Sequence, residues 1–170
     1  MKIYIFENYR DFFPEKRGSE LTDALMMKAI ESEGIRGATI VRGERGKPLV
    51  KGAGELFVSV SHSGAYLVCA LSELPVGIDV QEERGGNLGK ITGRYFSEEE
   101  QAYVDERGRA GFFALWTRKE AYSKYTGRGL EEVMKGTSVL MRDDVDFTDF
   151  QIEKGVYCSC CVKKQKKWKN

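Results

Sequence analysis

The stretch AYLVCALSELPVGIDVQ, residues 65–81, decides how the chain is read. It holds two apolar runs of strand length, 65–72 and 76–81, separated by Glu73, Leu74 and Pro75. So short a connection ending on proline predicts a hairpin. The first run also has an echo downstream. GAYLVCAL (64–71) and GVYCSCCV (155–162) share Gly, Tyr and Cys at a displacement of 91 residues. Three matches in eight positions fit either two unrelated strands or a duplicated α+β lobe with one matching strand per half. A duplicated lobe would place a ligand site in the cleft between the halves.

Working outward, residues 19–34 (SELTDALMMKAIESEG) predict a helix. Ser19 is its cap, Leu21, Ala24, Leu25, Lys28 and Ala29 keep its period, and Gly34 is its stop. Short strands are expected at 39–41, 49–50 and 56–61. The glycine-rich 84–93 (RGGNLGKITG) reads as a mobile connector. Ser97 with Glu100 three residues on is a capping box for a further helix. Another helix is expected at 110–126, ended by Gly127 and Gly129, then strands at 137–141, 147–152 and 156–162. The fold class is α+β. The expected division is an N-terminal lobe at 1–82, a C-terminal lobe at 83–162 and a basic tail at 163–170.

The 170 residues are 41% hydrophobic and 31% charged, a globular and not a disordered composition. The five lysines of KKQKKWK (163–169) turn a formal charge of −4 for the rest into +1 overall. Such a tail could touch nucleic acid or an acidic protein, but no nucleic-acid motif accompanies it, and most lysine-rich ends only solubilise. No apolar run approaches the roughly 18 residues of a membrane span, and the apolar part of MKIYIFENYR is too short for a signal peptide. No membrane partner and a cytoplasmic location are expected. The four cysteines lack metal-ligand spacing and there is one histidine, so the cysteines read as small apolar residues of a buried strand.

The charged groups worth weighing begin with the helical segment LWTRKEAYSKYTGRGL (115–130). Trp116, Glu120 and Lys124 recur every four residues and share a face. Glu120 and Lys124 make either a surface pair or two parts of a site. In VGIDVQ, Asp79 and Gln81 alternate to one side of a strand. They offer oxygen ligands for a hard cation such as magnesium, or a solvent-facing pair on a hairpin. His62 in SVSHSG (59–64) sits in an expected turn that could present hydroxyls, imidazole and backbone N–H groups to phosphate. The basic loop RGERGKP (42–48) could approach an anion or be a plain exposed turn.

In order, GKP (46–48), VSVSHSG (58–64), VGIDVQ (76–81), RYFSEEE (94–100) and WTRKEAYSKYTGRGL (116–130) resemble the 4′-phosphopantetheinyl transferases of the surfactin-synthetase type. The resemblance covers about residues 45–130. It implies a pseudo-twofold pair of α+β lobes with coenzyme A and magnesium, or manganese, in the cleft. It implies transfer of phosphopantetheine from coenzyme A to a serine of an apo acyl or peptidyl carrier protein of fatty-acid, polyketide or nonribosomal-peptide synthesis. Adenosine 3′,5′-bisphosphate would be released. By the same resemblance Asp79, Glu120 and Gln81 are metal ligands, with Gln81 neutral where many members carry Glu. Glu120 would also take the serine proton, and Lys124 would stabilise the leaving group. Lys119, Lys124, Ser61 and His62 would contact phosphates, and Lys47 and Pro48 would lie beside the adenine and 3′-phosphate. Arg17 would replace the arginine usual at the start of the first helix. A monomer is implied. A binding module for coenzyme A or carrier protein, without chemistry, is the alternative.

Overall fold

The computed structural model describes residues 1–129 and 138–165. The end of the basic tail (166–170), Leu130 of the helix motif and position 137 of the strand expected at 137–141 lie outside the described residues. The first sheet is built from β1 (Lys2–Glu7), β4 (Phe57–Ser63) and β5 (Tyr66–Ser72), all antiparallel in the order β1-β5-β4. Helix α1 (Gly18–Ser32) covers it, and β2 (Thr39–Arg42) and β3 (Pro48–Lys51) form a separate ribbon. The second sheet takes β6 (Val76–Glu82), β7 (Val145–Glu153) and β8 (Val156–Lys163) in the order β6-β8-β7, also antiparallel. Helices α2 (Leu88–Tyr95) and α3 (Glu98–Thr126) precede β7 in the chain. The mixed α+β class is as expected from the sequence.

Period-two alternation splits the central strands between cores. Leu67, Cys69 and Leu71 of β5 face α1, whereas Tyr66, Val68 and Ala70 meet Val76, Ile78 and Val80 of β6 and Cys158 and Cys160 of β8. Tyr157 and Cys161 of β8 face the aromatic cluster of Phe112, Phe113 and Tyr122 on α3. The two sheets therefore meet each other, with α1 outside one and α3 outside the other. Both β5 and β8 are covered on both faces, which explains why YCSCCV is buried and why all four thiols are free. Gly64 and Gly155, the glycines of the sequence echo, both take positive φ in the turns that open β5 and β8.

Four expectations change. The 65–81 stretch is not a hairpin: β5 already pairs with β1 on one edge and β4 on the other, so β6 crosses to the second sheet and pairs with β8. The change of sheet thus falls at residues 73–75, not at 82/83. The connector 84–93 contains α2, capped by Asn87 accepting from the Lys90 N–H at 3.1 Å. Its Leu88, Ile91 and Tyr95 recur at helical spacing against the second core, which offsets the glycines. Ser19 does not cap α1; Arg17 is the N-cap residue and makes no side-chain cap bond. Residues 138–141 form bends, not a strand. The Ser97–Glu100 capping box forms as predicted, and Gly127 closes α3 at φ 70° with its N–H on the Ser123 carbonyl. The two helices expected there follow one another within α3, separated by the non-helical Gly108 at φ 61°.

Candidate active site

The site begins with Gly77. A Cβ at this position would stand 2.0 Å from the Ala121 carbonyl oxygen and 2.5 Å from the Tyr125 backbone nitrogen. Only glycine lets β6 and α3 lie this close. That approach sets Asp79, two residues along β6, against Glu120 and Lys124 on the facing turns of α3.

Asp79 is 5% exposed. Its Oδ1 accepts from Lys124 Nζ at 2.8 Å and from Ser61 Oγ at 2.7 Å. Lys124 Nζ also donates to the Ile78 carbonyl at 3.0 Å, so two of its three N–H bonds go to protein oxygens. Glu120 lies close enough to feel both charges. Burial pushes its carboxyl up to about 7; the Asp79 carboxylate adds to the rise and Lys124 opposes it. Two carboxylates thus share one ammonium, and once Glu120 ionises the surplus is one negative charge in largely buried surroundings. Trp116, on the same face of α3, stacks on Phe112 at 5.8 Å and anchors the helix to its own core.

The other candidate residues divide. Lys47 and Pro48 border a cavity of about 300 Å³ that reaches Ser59, Val60, Ser123 and Lys124. Lys47 is half-buried in effect: its Nζ donates to the carbonyls of Lys124 (2.6 Å) and Tyr125 (3.3 Å), and burial lowers its pKa. A cation on the last carbonyls of α3 is the favourable end for the helix dipole. His62 is within β4 and not in a turn. It is exposed, yet its ring stacks on Tyr9 at 5.6 Å, and this partial burial with Arg10 and Lys124 lowers its pKa against the pull of Asp79. Gln81 has both ends of its amide engaged: Oε1 accepts from Arg84 Nη2 at 3.1 Å, and Nε2 donates to the Glu82 carbonyl at 2.9 Å.

Lys119 and Arg17 are not brought to this cleft. Lys119 is 1% exposed and its Nζ is 2.8 Å from Glu100 Oε2, beneath the Phe96 ring. One residue before Glu120 on a helix means a rotation of about 100°, which turns Lys119 into the core. The Arg17 guanidinium folds back on the carbonyls of Pro14 and Lys16. Sequence reasoning missed two participants. One is Glu100, whose local capping role was visible but whose partner 19 residues on was not. The other is the pair Ser59 and Ser63 on either side of the expected Ser61, whose period-two spacing on one strand was the available signal. Among the described residues no group of three or more His, Cys, Asp or Glu could hold a metal by itself. A larger cavity of about 800 Å³, by Lys2, Glu33, Glu73 and Asp146, contains none of Asp79, Glu120 and Lys124.

This geometry can be set beside known proteins. Residues 75–169 match the model of the 4′-phosphopantetheinyl transferase superfamily, more than half of the chain. The chain belongs to that superfamily. The superfamily region starts just before β6 and includes α3, so it carries Gly77, Asp79, Glu120 and Lys124 together. A 4′-phosphopantetheinyl transferase of Bacillus subtilis is 34% identical over 105 residues, covering 59% of this chain and 46% of the relative. The 4′-phosphopantetheinyl transferase psf-1 of Bacillus pumilus is 37% identical over 105 residues (58% and 44%). The transferase AcpT of Salmonella typhi is 35% identical over 107 residues (59% and 56%). The chain spans about half the length of the curated relatives it matches.

Proposed function

We propose that the chain carries the transfer activity of its superfamily: phosphopantetheine moves from coenzyme A to a serine of an apo acyl or peptidyl carrier protein, and adenosine 3′,5′-bisphosphate leaves. We read the two sheets with their helices as two related lobes, with the reaction at the seam between them. The observation that carries the proposal is the carboxylate pair Asp79 and Glu120 around the single ammonium of Lys124. Buried surplus negative charge of this kind fits a divalent cation with oxygen ligands, so Asp79 and Glu120 are the proposed magnesium (or manganese) ligands. The cation would neutralise charge on the pyrophosphate oxygens. Gln81, with its oxygen on Arg84, stands beside that pair and not in it.

The chain's own residues account for the other needs. Glu120, titrating near 7 without a cation, is suited to accept the proton of the incoming serine hydroxyl. As the serine oxygen bonds to phosphorus, the bond to the bisphosphate oxygen breaks, and its negative charge develops on the departing group. Lys124 holds an N–H beyond the two given to Asp79 and Ile78 for that charge. The cavity between Lys47, Pro48 and Ser123 is the proposed seat of the nucleotide, and His62 of β4 is a proposed phosphate contact. Lys47 supports it from the C-terminus of α3.

The test is mass spectrometry of several apo carrier proteins incubated with coenzyme A, magnesium and this protein. The expected result is a gain of one phosphopantetheine mass. Coenzyme A binding without any such gain would replace the proposal with a binding module.

A further inference from the structure

β4 presents Ser59, Ser61 and Ser63 at period two to the edge of β6. The outer two act as acceptors. Ser59 Oγ takes the Ile78 N–H at 3.0 Å, and Ser63 Oγ takes the Glu82 N–H at 3.0 Å and Gln81 Nε2 at 3.3 Å. Side-chain oxygens stand here where a paired strand would offer carbonyls, so they satisfy an open strand edge at the meeting of the two sheets. The middle serine departs from that pattern. Its Oγ lies 2.7 Å from Asp79 Oδ1.

The chemistry of that contact has one direction. An ionised carboxylate only accepts, so Ser61 donates, and a hydroxyl has a single proton. Phosphate oxygens at neutral pH also need a donor. While Ser61 holds Asp79 it has no proton for a phosphate. Lys124 lands on the same Oδ1, and among the described residues no hydrogen bond reaches Asp79 Oδ2. One oxygen is therefore fixed twice and the other is left for a cation.

We infer that Ser61 is a positioning residue: it acts through Asp79 to set the cation-binding carboxylate. The inference rests on the reading of Asp79 and Glu120 as cation ligands. Partners that orient a ligating side chain typically contribute 10- to 100-fold to metal affinity.

The experiment measures Mn²⁺ binding to the whole chain by calorimetry with coenzyme A at saturation, whose phosphates complete the proposed ligand set. In parallel it measures adenosine 3′,5′-bisphosphate binding in the presence of a chelator. Wild type, Asp79→Asn, Ser61→Ala and Ser61→Thr are compared. Ser61→Cys, of similar size and a weak donor, serves in place of the alanine variant should that one not fold. Wild type is expected to bind Mn²⁺ and Asp79→Asn to lose it. Ser61→Ala is expected to bind Mn²⁺ about 10- to 100-fold more weakly, with Ser61→Thr near wild type. Wild-type Mn²⁺ affinity in Ser61→Ala, or a loss confined to bisphosphate binding, overturns the inference alone. Absence of Mn²⁺ binding by the wild type overturns the two-carboxylate reading, and the inference with it.

Discussion

Two lysine–carboxylate pairs hang from α3 at the same 2.8 Å, five residues apart, and they do opposite things. In the first, Lys119 and Glu100 are sealed at 1% and 0% exposure. Glu100 spends both oxygens: Oε1 accepts from the Val139 N–H, and Oε2 from the Ser97 N–H and Lys119. The charges balance and each oxygen has a donor. In the second, Lys124 meets Asp79 at the wall of a cleft, and Glu120 adds a carboxylate that no described cation neutralises fully. The lesson is that distance does not tell a structural pair from a reactive one. Charge balance and unfilled oxygens do.

The largest effect should come from unbalancing the sealed pair. Lys119→Met leaves Glu100 charged in the core and is expected to remove about 3–5 kcal/mol from stability in chemical denaturation. The fraction still folded should transfer at a rate changed much less. A large rate loss at full stability would erase the distinction between the pairs. Next come Asp79→Ala and Glu120→Gln, expected to slow transfer by about 10²- to 10³-fold, or about 3–4 kcal/mol of barrier, with the fold retained by circular dichroism. Near-normal transfer by either would end the functional proposal.

Titration sharpens the same contrast. Glu120 has its folded pKa raised to about 7 from 4.5. Its contribution to stability is therefore fully present below about pH 4.5 and is lost as pH rises through about 7. The cation-free protein should weaken across that window by up to about 3 kcal/mol, and Glu120→Gln should flatten the profile. A wild-type profile that is already flat would mean that the surplus charge is not there. The smallest expected change is Gly77→Ala. Its methyl forces α3 off β6, with a stability loss of about 1–3 kcal/mol and a drop in transfer, while the Lys119–Glu100 pair stays shut. Unaltered transfer would show that the site tolerates a wider spacing.

What could be read beforehand follows the range of the interaction. The Ser97–Glu100 box and the Gly127 stop are contacts within four residues, and both were legible. So was the apolar character of 65–72 and of YCSCCV that buries β5 and β8. The partner of β6 was not, because a three-residue link allows either a hairpin or a crossing, and the choice lies with β1 and β4 having filled both edges of β5. Asp79 and Glu120 came from the order of motifs, as no local pattern joins residues 41 apart. Lys119 was misplaced although the helical period already turned it away from Glu120. The hidden helix α2 shows that one cap at Asn87 and three well-spaced apolar residues outweigh a glycine-rich composition.

The cysteines at the centres of the two sheets have one more consequence. Cys69 sits in β5, and Cys158, Cys160 and Cys161 sit in β8. Burial pushes the thiols of Cys69 and Cys160 up to about 12 and raises the other two as well. Thiolate, the reactive form, is therefore scarce at physiological pH until a strand is exposed. The chain carries an intrinsic pair of alkylation clocks, one per sheet, whose labelling rates report separately on the opening of each half.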